Sequence, residues 1–137
     1  MPNKYELINS TYASGSAFLG MTLRPLVGFG KIDIEALNKE SLKHSIHALK
    51  LELIKLVESG HYKNISTVLL SGPQLSNSVV TFIKLEEIST SNGRSLLHIT
   101  IGYRSGISYT CAVEPTEPTI QDAITQLVVV SSKLDKL

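Results

Sequence analysis

Cys111 and His98 invite a catalytic reading, because a thiol and an imidazole within hydrogen-bond reach make a nucleophile and its base. Glu40, His44 and His47 stand at i, i+4 and i+7 of a helical stretch, so two imidazoles and a carboxylate on one face could hold a divalent ion loosely. Gly28-Phe29-Gly30-Lys31 has the glycines and lysine of a phosphate loop, but it lacks the wider glycine spacing and the hydroxyl residue after lysine. Arg94 and Arg104 would clamp an anion only if they converged. Whether any of these groups can act depends on the elements that carry them.

Three alternating apolar runs, near residues 79–88, 96–103 and 107–113, read as neighbouring antiparallel strands. Asn92-Gly93 and Ser105-Gly106 mark the connections. A two-residue Asn-Gly turn sets Ile99 against Glu86 and Ile101 against Lys84, mixing charges into an apolar face. A three-residue loop, Ser91-Asn92-Gly93, sets Ile99 against Leu85 and Ile101 against Ile83 instead. The same parity in Arg104-Ser105-Gly106 sets Ile101 against Tyr109 and Ile99 against Cys111. Each misplaced large apolar side chain forfeits roughly 1.5 to 3 kcal/mol of burial, which outweighs any preference between turn types. Both loops are therefore expected to close on a glycine bulge, with Gly93 and Gly106 at positive φ.

This register assigns Ile83, Leu85, Leu97, Ile99, Ile101, Tyr103, Ile107, Tyr109, Cys111 and Val113 to an inner face. It puts Val80, Phe82, Lys84, Glu86, Ile88, Leu96, His98, Thr100, Ser108 and Thr110 on the outer one. Cys111 and His98 then lie on opposite sides of the sheet, which removes the dyad. Glu86 and Glu87 also point to opposite faces, while Arg94 and Arg104 sit on the order of 30 Å apart at the ends of the central strand. His98 faces Glu86 as a cross-strand pair. No catalytic set, cofactor or metal site is assigned.

A long helix precedes the strands, with Leu42, Ile46, Leu49, Leu53, Leu56 and Val57 on one stripe. Asn38 suits its N-cap, Asp33 offers an earlier start, and Gly60 ends it. Leu51 points away from the stripe and Ile54 lies off its centre, so a helix packed on one side only would leave both wet, which points to a second packing surface or a partner. Residues 65–70 read as a strand stopped by Gly72-Pro73, and Thr116 or Thr119 caps a last helix with Ile120, Ile124, Leu127 and Leu134 on one face. Residues 5–10 and 16–23 read as strands joined through Ala13-Ser-Gly-Ser.

The 137 residues are expected to form a single α+β domain: a mainly antiparallel sheet of four to six strands, including a three-stranded meander, with two helices packed on one face. Hydrophobic content of 42% and charged content of 18% are those of a globular chain. A net charge of +1 gives no global pull toward nucleic acid. A lone cysteine excludes an intrachain disulfide, and no apolar run is long enough for a signal peptide or a membrane span, so a cytoplasmic protein is expected.

The order helix, three antiparallel strands, helix is similar to that of double-stranded-RNA-binding domains, and with a preceding strand to that of ribosome-hibernation factors. The last helix opens Thr119-Ile-Gln-Asp-Ala123, where the RNA-binding domain presents lysines to phosphates. The expected function is a non-catalytic protein-interaction or assembly module, self-associating or binding another protein. Its candidate surface is Leu51, Ile54, Val80, Phe82, Ile88, Leu96 and His98. An RNA- or ribosome-associated protein is the first alternative, and a small-molecule binder or small enzyme the second.

Overall fold

A computed structural model describes residues 7–11, 17–62, 66–70 and 80–136. The elements in order are β1 (Leu7–Thr11), β2 (Ala17–Leu23), β3 (Gly28–Phe29), β4 (Ile32–Ala36), α1 (Lys39–Ser59), β5 (Ser66–Leu70), β6 (Val80–Ser89), β7 (Ser95–Tyr103), β8 (Ser108–Val113) and α2 (Glu117–Leu134). The arrangement is α+β with antiparallel pairing throughout. A five-stranded sheet of order β3-β8-β7-β6-β5 contains the β6–β7–β8 meander, and a three-stranded sheet has the order β1-β2-β4. The early strands thus build a sheet of their own. The expected turn at Ala13-Ser-Gly-Ser and the stop at Gly72-Pro73 lie outside the described residues.

The meander has the register that the apolar alternation demands. Ile83 faces Ile101, Leu85 faces Ile99, Ile99 faces Cys111 and Ile101 faces Tyr109. Thr90 N donates to the Arg94 carbonyl at 2.7 Å and Tyr103 N to the Ile107 carbonyl at 2.9 Å, closing three-residue loops. Gly93 and Gly106 have φ of 81° and 90°, a conformation costly for a residue with a Cβ.

Residues 32–36 form a strand, not an early turn of helix. Ile32, Ile34 and Ala36 are buried while Asp33 and Glu35 are half-exposed, the period of two that a strand imposes. Asp33 accepts a hydrogen bond from Thr22 Oγ1 across the strand pair at 2.7 Å, so it caps nothing. Asn38 is the N-cap of α1, its side-chain oxygen accepting from Ser41 N at 2.8 Å, and Gly60 ends the helix in the left-handed conformation.

One core joins both sheets to both helices. Met21 and Leu23 of β2 and Ile32 and Ile34 of β4 meet the α1 stripe from Leu42 to Leu56. Ile120, Ile124, Leu127 and Leu134 of α2 join them, together with the inner face of the meander. Lys43 and Asp135, 2.5 Å apart, link the second turn of α1 to the end of α2. Both side chains are solvated, so the pair contributes little to stability.

The run of residues 28–36 changes sheets part-way: β3 pairs with β8, and β4 pairs with β2. Such a handover leaves backbone groups that neither ladder takes, and side chains satisfy them. The Tyr103 hydroxyl donates to the Asp33 carbonyl and accepts from Glu35 N at 3.3 Å, standing where a strand beside β4 would stand. Fully buried Gln126 does the same for Arg24, its Nε2 donating to the carbonyl at 2.6 Å and its Oε1 accepting from the amide at 3.1 Å.

An intramolecular hydrogen bond to a part-buried backbone group contributes about 0.5 to 1.5 kcal/mol net. Tyr103→Phe is therefore expected to lower the free energy of unfolding by about 0.5 to 1.5 kcal/mol in a denaturant titration, with the circular dichroism spectrum unchanged. A variant as stable as the parent would show that the hydroxyl bridge is not needed.

Candidate functional site

The structure separates the groups that the sequence offered for chemistry. Cys111 faces Ile99 on the inner side of the sheet and is buried, while His98 lies on the other side between Glu86 and Ala112. Burial pushes the thiol up to about 12, so the nucleophilic thiolate is scarce at neutral pH. Glu86 stands across from His98 as the register requires, yet its carboxylate pairs with Lys84 at 2.8 Å. Glu40, His44 and His47 are exposed on α1, and among the described residues no group of His, Cys, Asp and Glu is placed to hold a metal ion. Arg94 lies 3.8 Å from Glu114, at the opposite end of β7 from Arg104.

The first half of the glycine–lysine stretch is the edge strand β3, and its first glycine serves close packing. A Cβ on Gly28 would come within 2.0 Å of the Ala112 carbonyl oxygen, so only glycine lets β3 lie against β8 there.

On the outer face, Phe82, Ile88 and His98 are half-buried. Gly102 has no side chain to displace the Phe82 ring, which occupies the space its Cβ would fill. Leu96 keeps its outward parity opposite Ile88 but is only 4% exposed, too little to serve as a docking residue. Val80 is a correction. A bulge between Val80 and Phe82 shifts the register by one residue, so Val80 stands opposite Tyr103, turns inward and is 1% exposed. On α1, Leu51 is exposed as expected, while Ile54 packs against the core as a partly buried residue.

Besides Leu37, Leu51 and Val128, the exposed large apolar side chains stand at the margin of the sheet formed by β3 and the first half of β8, on both of its sides. Phe29, 64% exposed, pairs with Ala112 on the outer side, and Leu26 and Val27 lead into it. Ile107, 55% exposed, and the less exposed Tyr109 stand across the same margin on the inner side. The Tyr109 ring meets Tyr103 edge-on at 5.8 Å. Parity places Ile107 and Tyr109 on the inner side as expected, but the core does not reach that end of β8. Residues 107–110 are all exposed, whereas Cys111, Ala112 and Val113 are buried.

Sequence reasoning missed Leu26, Val27 and Phe29 because the segment is too short for a period. The available signal was an apolar cluster boxed between Pro25 and Gly30, where neither a helix nor a long strand can bury it.

Among the described residues no helix is long and apolar enough to cross a membrane. Comparison with protein-family models, curated proteins and solved structures finds no match.

The placement of the thiol has a direct consequence. Alkylation of Cys111 by iodoacetamide at pH 8 is expected to be slow in the folded chain and rapid in denaturant, followed by mass spectrometry. Rapid labelling of the native protein would show a thiol far more accessible than the register places it.

Proposed function

We propose that this chain is a non-catalytic protein-interaction module that binds its partner at the margin between β3 and the first half of β8. The observation that carries the reading is the exposed apolar side chains around this end of the sheet: Leu26 and Val27 before β3 and Phe29 on it toward the outer side, with Ile107 in the loop before β8 and Tyr109 on β8 toward the inner side. Scattered apolar residues are ordinary on a protein surface, but a contiguous exposed run such as Leu26, Val27 and Phe29 suits a place that another molecule covers. The groups at this margin are recognition groups, apolar side chains and hydroxyls on a strand edge, and the lone thiol is turned away from it. A reducing, cytoplasmic setting accords with that free thiol.

Self-association through the same margin is the other form of this reading. Light scattering across a concentration series separates the two, since a self-assembling chain gains mass with concentration and a chain awaiting another protein stays monomeric.

A photo-crosslinking residue at position 29 is expected to capture a protein in cells, whereas the same residue at position 128 on the exposed side of α2 is not. Ile107→Lys should abolish capture at position 29 with the melting temperature unchanged, because Ile107 is solvated already. Equal capture at both positions, or capture insensitive to Ile107→Lys, would remove the margin from consideration.

A further inference from the structure

We propose that Asn92 is a site of spontaneous covalent modification, losing its amide nitrogen to become aspartate or isoaspartate, and that the hydrogen bonds of the first meander loop hold this reaction back while the chain is folded.

The chemistry starts from two neighbouring residues. An asparagine followed by glycine meets no Cβ on the next residue, so the backbone nitrogen beyond it can reach the side-chain carbonyl carbon. Asn92 precedes Gly93, and no other asparagine in the chain precedes a glycine. The Gly93 nitrogen gives up its proton and attacks Cγ of Asn92. The N–Cγ bond forms, the Cγ–Nδ2 bond breaks, and ammonia leaves with that proton. Water then opens the five-membered ring at one of its two carbonyls. Opening at Cγ restores the ordinary main chain with an aspartate. Opening at the backbone carbonyl gives isoaspartate, whose main chain runs through Cβ and Cγ and is one atom longer.

Both residues are exposed, so water reaches them, yet both reacting groups are engaged. Gly93 N donates to the Thr90 carbonyl at 3.0 Å, which favours the protonated amide over the anion that must attack. Oδ1 of Asn92 accepts from Arg94 N at 3.2 Å and from the Thr90 hydroxyl, which fixes the side chain. Ring closure ties the two groups to each other and so needs these contacts to open first. The rate in the folded chain is then the rate in an open chain multiplied by the fraction of time that this corner is open.

The two products differ in what the fold can keep. Aspartate retains an oxygen where Oδ1 stands, and Arg94 N and the Thr90 hydroxyl can donate to it as charge-assisted bonds. Isoaspartate spends that acceptor on its main chain and adds an atom to a loop whose ends are fixed by Ser89 facing Ser95 and Ile88 facing Leu96. Aspartate therefore leaves the meander intact, and isoaspartate loosens it at its first corner.

The test incubates the full chain at mildly alkaline pH, native and in denaturant, and follows each asparagine by peptide mapping, with isoaspartate counted by enzymatic methylation. In denaturant, Asn92 is expected to react ahead of every other asparagine; in the native chain it should react about tenfold more slowly. Thr90→Val removes the hydroxyl and should quicken the native reaction severalfold without changing the rate in denaturant, while Thr90→Ser, which keeps the hydroxyl, should stay slow. Asn92→Asp should melt at or above the temperature of the parent, and the chromatographically separated isoaspartyl form below it. Equal rates in the folded and denatured chain, a folded Thr90→Val that reacts no faster than the parent, or earlier reaction at another asparagine overturns the inference.

Discussion

A β-strand turns successive side chains to opposite faces, so three strands share one apolar face only when each connecting loop contains the right parity of residues. The rest of this molecule depends on that constraint. Loops of three residues align Ile83, Leu85, Leu97, Ile99, Ile101, Cys111 and Val113 on one side, where α1, α2 and the smaller sheet complete the core. The same alignment sends the only thiol inward and the strand histidine outward. The separation of Cys111 from His98 is thus a by-product of building a core.

The second structural decision is where residues 28–36 change sheets. β3 lies beside β8 for two residues, held close by the absence of a Cβ on Gly28, and then the chain departs to become β4. The cost of that departure falls on backbone groups, and Tyr103 meets it at β4 with its hydroxyl, while Gln126 holds the backbone of Arg24 just past the end of β2. On β8 the departing chain still lies against Thr110 and Cys111 through Gly30, and the ladder to β3 does not reach Ser108. A longer β3 would take from β2 its partner β4 and leave it paired with β1 alone.

Much of the fold was legible because its signals are local. The α1 stripe, the cap at Asn38, the stop at Gly60 and the glycine-closed loops all follow from spacing within a few residues. Residues 32–36 were harder, since a five-residue alternation beside a good capping residue also suits a helix start. The pairing of Ile32 with Leu23 and of Ile34 with Met21 decides the matter through residues distant in sequence. Val80 shows the same limit: one bulge inverted its parity, and nothing in the neighbouring sequence announces a bulge.

The candidate margin was the least legible feature, and its reason is physical. Periodicity by itself determined which side of β8 carries Ile107, Tyr109, Cys111 and Val113, because the direction of a side chain is a property of its own strand. Only the tertiary structure decided that Cys111 and Val113 are covered while Ile107 and Tyr109 are not. Coverage depends on how far the helices and the second sheet extend over β8, and that reach is set by packing among elements far apart in the chain.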